Sequence, residues 1–174
     1  KRIDKFPTNC QPKTSNDAYK IQNELKNLLL LLKKNYCIGK KIGCTNKMAQ
    51  KQLDINEPFY GNLFSKFSNV SGCILNSSDF SKPYFEPEFS FIIKDDIDIS
   101  KAPFTFKQIL NLVKCVIGSV EIVDFRFKDD LKAIGINNLI AANGASDYWI
   151  KGNIEFELSK LNLQTKFSFY KTAY

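Results

Sequence analysis

The segment Glu86-Pro87-Glu88, inside the run YFEPEFSFII at 84–93, is where the chain first offers chemistry. Side chains alternate along an extended backbone, so Glu86 and Glu88 project from one face and Phe85, Phe89 and Phe91 from the other. The expectation is a strand with one anionic side and one apolar, buried side. Pro87 has no N–H to give to a ladder, which puts the strand at a sheet edge, at a bulge, or at its own start. Two close carboxylates repel, and the repulsion is relieved by protonating one, by solvating both, or by binding a hard cation such as magnesium. A second pair, Glu155 and Glu157 in NIEFEL, has the same spacing with Ile154, Phe156 and Leu158 opposite, so spacing alone does not choose between the pairs. Glu121 differs in kind. It lies in VIGSVEIVDF between Val120 and Ile122, where an ionised group is costly to bury without a partner.

These carboxylates need elements to hold them. A Ser-Asn-Asp cluster at Ser15 to Asp17 caps a predicted helix, AYKIQNELKNLLLLLKK, with Ile21, Leu25, Leu28, Leu29 and Leu32 on one face. The stretch CIGKKIGCT at 37–45 reads as a strand running into a loop. It brackets Lys40 and Lys41 with Gly39 and Gly43 and lacks the G-K-[ST] ending of a phosphate loop. A short helix over 47–53, the segment PFYGNLF, and a Ser- and Asn-rich link over 65–79 lead to the Glu86 strand. Helical spacing through Phe106, Ile109, Leu110 and Val113 predicts a helix over 103–116, followed by the Glu121 strand. INNLIAANGASDYWIKG then reads as an apolar approach, an Asn-Gly turn and a strand holding the single Trp. The tail alternates at Ile154, Phe156 and Leu158 and again at Phe167 and Phe169. Helices early and strands late predict an α+β domain.

At 174 residues, 44% hydrophobic with 15 Phe, the chain suits one domain, with room for a small accessory lobe. Its five Cys form no C-x-x-C pair and there is no His, which excludes the usual zinc sites and His-based catalytic triads. The cysteines read as reduced thiols of a cytosol-like compartment. A net charge of +7 attracts phosphate. However, only Arg2 and Arg126 are Arg, the Lys are dispersed, and no RNP-like strand or helix-turn-helix is present, so nucleic acid is not the expected partner. The apolar run Leu28 to Leu32, flanked by Lys26, Lys33 and Lys34, falls far short of the ~20 residues that span a bilayer. The chain opens with Lys1 and shows no signal-peptide pattern, so it is expected to be processed or incomplete.

Taken in order, six segments resemble the 2-keto-4-pentenoate hydratase group of the fumarylacetoacetate hydrolase superfamily, from about Ser15 to Lys166. They are DAYKIQ (17–22), GKKIGCTNKMAQ (39–50), EPFYGNLF (57–64), FEPEFSFIIKDD (85–96), SVEIVDFRF (119–127) and IAANGASDYWIKG (140–152). The resemblance implies a mixed β-sandwich or β-roll core with a small N-terminal α/β lobe. The lobe would take residues 1–70 and the β-rich core 71–174, incomplete at its C-terminus. It also implies Mg2+ or Mn2+ held by Glu86, Glu88 and Glu121, with Lys41 facing the substrate and Asn143 and Ser146 as weaker polar contacts. Glu155 and Glu157 match no ligand of the family and fall to a wet face. The implied activity is hydration of a 2-hydroxy-dienoate to a 4-hydroxy-2-oxo acid through an enolate, in a cytoplasmic homo-oligomer or, alternatively, one of the mitochondrial matrix. A decarboxylase of the same group would use the same enolate. Three positions depart from the family pattern: Phe59 stands for an Asp, Phe125 for a Ser and Ala142 for an Asp. These losses, together with the missing C-terminal strands, frame a rival reading in which the chain is a non-catalytic subunit.

Overall fold

The computed structural model describes residues 2–4 and 6–160. Helix α1 (Ser15–Leu30) starts at Thr14, one residue before the expected cluster. The Thr14 hydroxyl accepts from the Asp17 N–H at 3.1 Å, and the Asp17 carboxylate accepts from the Thr14 N–H at 3.1 Å. This reciprocal pair satisfies two orphan donors of the first turn. Strand β1 (Cys37–Gly43) runs antiparallel to β2 (Phe59–Phe64), with helix α2 (Lys47–Gln52), capped by the Asn46 side chain, between them.

Among the described residues, a four-stranded sheet carries the carboxylates. Its members are β3 (Ser68–Val70), β4 (Pro83–Ile93), β5 (Val113–Asp124) and β6 (Ser146–Phe156), in the spatial order β3-β6-β5-β4. Among the described residues β4 lies at the edge of the sheet and pairs with β5, one of the placements that Pro87 allows. Helix α3 (Phe106–Leu112) leads into β5, and α4 (Leu131–Ile134) and α5 (Ile136–Ala141) lead to β6. Sheets and helices together make the α+β class. Gly118 and Gly152 let β5 and β6 approach so closely that a Cβ on Gly152 would strike the Gly118 carbonyl.

Several expectations are corrected here. The aromatic face of β4 is not buried among the described residues: Phe85, Phe89 and Phe91 are 66%, 48% and 55% exposed. Alternation shows which residues share a face, but not whether anything covers it. Helix α1 buries Ala18 and Gln22 rather than its leucines: Ala18 joins the core cluster with Leu139, Ile140 and Ala141 of α5, and Gln22 donates to the Tyr60 and Ile140 carbonyls, each at 2.9 Å. The helix predicted over 103–116 stops at Leu112, and the β-branched and apolar residues from Val113 onward pair with β4. The apolar approach to the Asn-Gly turn is helical as α5, and the polar link holds the short strand β3. The expected strand around Phe167 and Phe169 lies outside the described residues.

The core beneath the site joins Ala18, Phe59, Val123, Leu139, Ile140, Ala141 and Ala145. Among the described residues, no helix is long and apolar enough to cross a membrane.

Candidate metal centre

Register brings the carboxylates together. Glu86 of β4 stands directly opposite Glu121 of β5, and Glu88 stands opposite Ser119, so all three carboxylates leave one face of the sheet. One oxygen from each of Glu86, Glu88 and Glu121 lies within 4.8 Å of the others. Glu86 is exposed, Glu88 half-buried, and Glu121 has no solvent exposure at all. Neither Glu121 oxygen meets a donor in normal hydrogen-bond geometry among the described residues. A buried, unsatisfied carboxylate is among the costliest groups a fold can carry. Its neighbouring charge is Lys41 on β1, whose Nζ lies 3.5 Å from Oε2.

Lys41 is itself only 6% exposed, so the pair is an internal one. On β1, Lys41 turns inward, while Lys40 turns outward to bond the Asn62 side chain at 3.0 Å and to lie over the Tyr60 ring. Burial pushes the Glu121 carboxyl above the usual carboxylate range, with Lys41 pulling the other way. Glu88 is pushed from its ordinary value of 4.5 to about 7, by burial first and by Glu121 second.

This arrangement passes a physical test for a hard divalent cation. Three oxygen donors converge, they repel one another, and one has no hydrogen bond to lose. The sign of the pH dependence follows. In metal-free protein the folded state holds the Glu88 proton more tightly than the unfolded chain does. Folding stability therefore falls as pH rises from about 4.5 to about 7 and levels off above that. Glu121 shifts in the same direction and adds to the trend. Thermal melts in a chelating buffer across this range should show a declining midpoint, and Glu88→Gln should flatten the decline. A midpoint that climbs with pH through the same interval would contradict the assignment.

The remaining candidates separate. Ser146, buried at the start of β6, lies close enough to Glu121 to favour its ionised form. Asn143 is also buried, but its amide is engaged. Its Nδ2 donates to the Asn62 carbonyl at 2.9 Å, and its Oδ1 accepts from the Asn62 N–H at 2.7 Å. In this arrangement Asn143 clamps β2 against the turn before β6. Gly61 permits the approach, since a Cβ there would strike the Asn143 carbonyl. Glu155 and Glu157 are exposed, and each pairs with a lysine on its own local segment, Lys151 and Lys160.

The three departures also have places. Phe59 turns into the core, with Lys41 Nζ 5.6 Å from its ring centre. Phe125 stacks edge-on against Tyr84, and Ala142 ends α5. The polar network of Gln22, Asn62 and Asn143 was not anticipated from the sequence. Amide side chains leave no periodic signal, and only the fold shows that they meet.

No family model matches the chain. Among curated proteins, a 2-keto-4-pentenoate hydratase of Burkholderia vietnamiensis is 26% identical over 147 residues, which cover 84% of this chain and 54% of the hydratase. A counterpart from Paraburkholderia xenovorans is 29% identical over 148 residues, covering 84% and 53%. A 4-oxalocrotonate decarboxylase of a Pseudomonas species is 29% identical over 171 residues, covering 94% and 60%. Among solved structures, the 4-oxalocrotonate decarboxylase of Pseudomonas putida G7, complexed with magnesium and adipate, superposes with a TM-score of 0.83 at 25% identity. That match covers 94% of this chain and 60% of the decarboxylase. The same enzyme complexed with calcium and acetate gives 0.76 at 26% identity. The chain spans about half the length of the curated hydratases it matches. In sequence and in the path of its backbone, the chain is similar to the group that holds the 2-keto-4-pentenoate hydratases and 4-oxalocrotonate decarboxylases.

Proposed function

We propose that Glu86, Glu88 and Glu121 hold Mg2+ or Mn2+ in an enzyme of this group that acts on small 2-oxo acids, most directly by hydrating a 2-hydroxy-dienoate. The observation that carries the reading is the buried Glu121 carboxylate, unsatisfied and converging with two others. A cation held there supplies positive charge to the carboxylate and 2-oxygen of a 2-oxo acid, which favours the enolate form. Lys41 adds a fixed ammonium at the same place, and the Ser146 hydroxyl lies beside Glu121. Asn143 acts by holding β2, and with it the partner strand of Lys41.

The decarboxylase reading has its own support, because the decarboxylase matches reach 94% of this chain. Both reactions would proceed through an enolate at the same centre. The β-sandwich or β-roll arrangement would set a second layer on the exposed Phe85, Phe89 and Phe91 face and complete the core around residues 71–174. Cytoplasmic location and homo-oligomeric assembly belong to the same reading.

Binding and turnover should separate. Phe59 puts a core ring where the family pattern has an acid, and loss of a general acid or base commonly costs a factor of about 10² to 10⁴. With Mg2+, calorimetry should detect oxalate binding that vanishes without the metal, while loss of dienoate absorbance should be slow. Brisk turnover would mark Phe59, Phe125 and Ala142 as the signature of a working variant. Failure of both would favour a non-catalytic subunit.

A further inference from the structure

The single tryptophan of the chain lies beside the carboxylates. Trp149 of β6 stands opposite Glu121 in the β5–β6 ladder, so its side chain leaves the same face of the sheet. The indole does not stay on its own strand. Its Nε1–H donates at 3.3 Å to the hydroxyl of Ser90 on β4, two strands away. Ser90 shares a 2.8 Å hydrogen bond with Ser119, which is the partner of Glu88 in the β4–β5 ladder. The ring therefore reaches diagonally across β5, next to the row that carries Glu88 and Ser119.

Three residues further along the same two strands, Gly118 and Gly152 bring the backbones of β5 and β6 close together. Trp149 is half-buried, so part of the ring remains open. Lys41 approaches Glu121 from β1, in a separate sheet, and Phe59 lies behind it. The centre is thus bounded by a charged amine from one sheet and by an apolar π-surface laid across the other. The Ser90–Ser119 pair holds the indole N–H, which fixes the orientation of the ring before any ligand arrives.

We propose that Trp149 is a specificity-determining residue, whose ring packs against the hydrocarbon end of a 2-oxo acid and selects for chain length beyond that of pyruvate. This rests on the 2-oxo acid reading above. A carboxylate and 2-oxygen drawn toward Glu86, Glu88, Glu121 and Lys41 leave the rest of the molecule to meet whatever borders the centre. On the β6 side, that border is the indole. Its flat apolar face suits the conjugated or saturated carbons of a short acid and gives nothing to a ligand without them.

The test is calorimetry in saturating Mg2+ with oxalate, pyruvate and 2-oxopentanoate. In the unaltered protein, 2-oxopentanoate should bind about tenfold tighter than pyruvate, the effect of enclosing two added methylenes. Trp149→Ala should remove that advantage while leaving oxalate within about twofold, and Trp149→Phe should restore part of it. Ser90→Ala frees the indole without deleting it and should weaken 2-oxopentanoate alone. In the unaltered protein, 2-oxopentanoate should also shift the emission of the single tryptophan. The inference is overturned if Trp149→Ala keeps the chain-length advantage, or if it weakens oxalate and 2-oxopentanoate equally, as a purely structural role would. If the unaltered protein binds none of the three acids, the underlying reading falls and takes the inference with it. That outcome is distinct, because it needs no variant to appear.

Discussion

Glu121→Gln should abolish the rise in melting temperature that magnesium or manganese produces in metal-free protein. A ligand that binds only the folded state stabilises it by about 2.7 kcal/mol at a hundredfold excess over its dissociation constant. The variant removes a carboxylate with no solvent exposure whose oxygens meet no donor in normal hydrogen-bond geometry among the described residues, and with it the charge that makes the trio attractive to a cation. Glu155→Gln should leave the metal response intact, since Glu155 is exposed and pairs with Lys151. Calorimetric melts of the three proteins, each with and without metal, decide the matter. An undiminished metal response in Glu121→Gln would sink the assignment.

Lys41→Met should cost the metal-free protein about 3 to 5 kcal/mol at pH 8, the usual penalty for leaving one member of a buried ion pair alone. Both partners are almost fully enclosed, so water cannot replace the lost ammonium. The loss should shrink toward pH 5, where the remaining carboxyls take up protons, and it should shrink again on adding Mg2+. Urea titrations at the two pH values, each with and without metal, give the comparison. A variant as stable as the parent at pH 8 without metal would mean that the Lys41–Glu121 pair contributes no net stability.

The sequence made some of this legible and concealed the rest for physical reasons. Strand alternation put Glu86 and Glu88 together, and the apolar flanks of Glu121 marked it as enclosed, because both signals are local. Pro87, through its missing donor, left an edge, a bulge or a strand start open, and among the described residues β4 lies at the edge of its sheet. Whether the Phe85, Phe89 and Phe91 face is covered depends on what packs there, which no local pattern encodes. The inward turn of Lys41 and outward turn of Lys40 needed the resemblance, since either lysine of the pair could face in. Helix α5 was hidden by its shortness and by two Asn residues that suit turns as readily as helices. The reach of Trp149 to Ser90 depends on which strands become neighbours and could not be read from spacing.

The position of β4 has a consequence for timing. Among the described residues, two of the three carboxylates ride on a strand that pairs on one side, while the third is on the interior strand β5. Edge strands open more often than interior ones, because fewer hydrogen bonds and contacts must break at once. A cation shared between Glu86, Glu88 and Glu121 would act as a clasp across that ladder. Its residence time could be no longer than the interval between openings of β4. Ion exchange could then be no slower than fraying of that strand, so the β4–β5 pairing would set its lower limit.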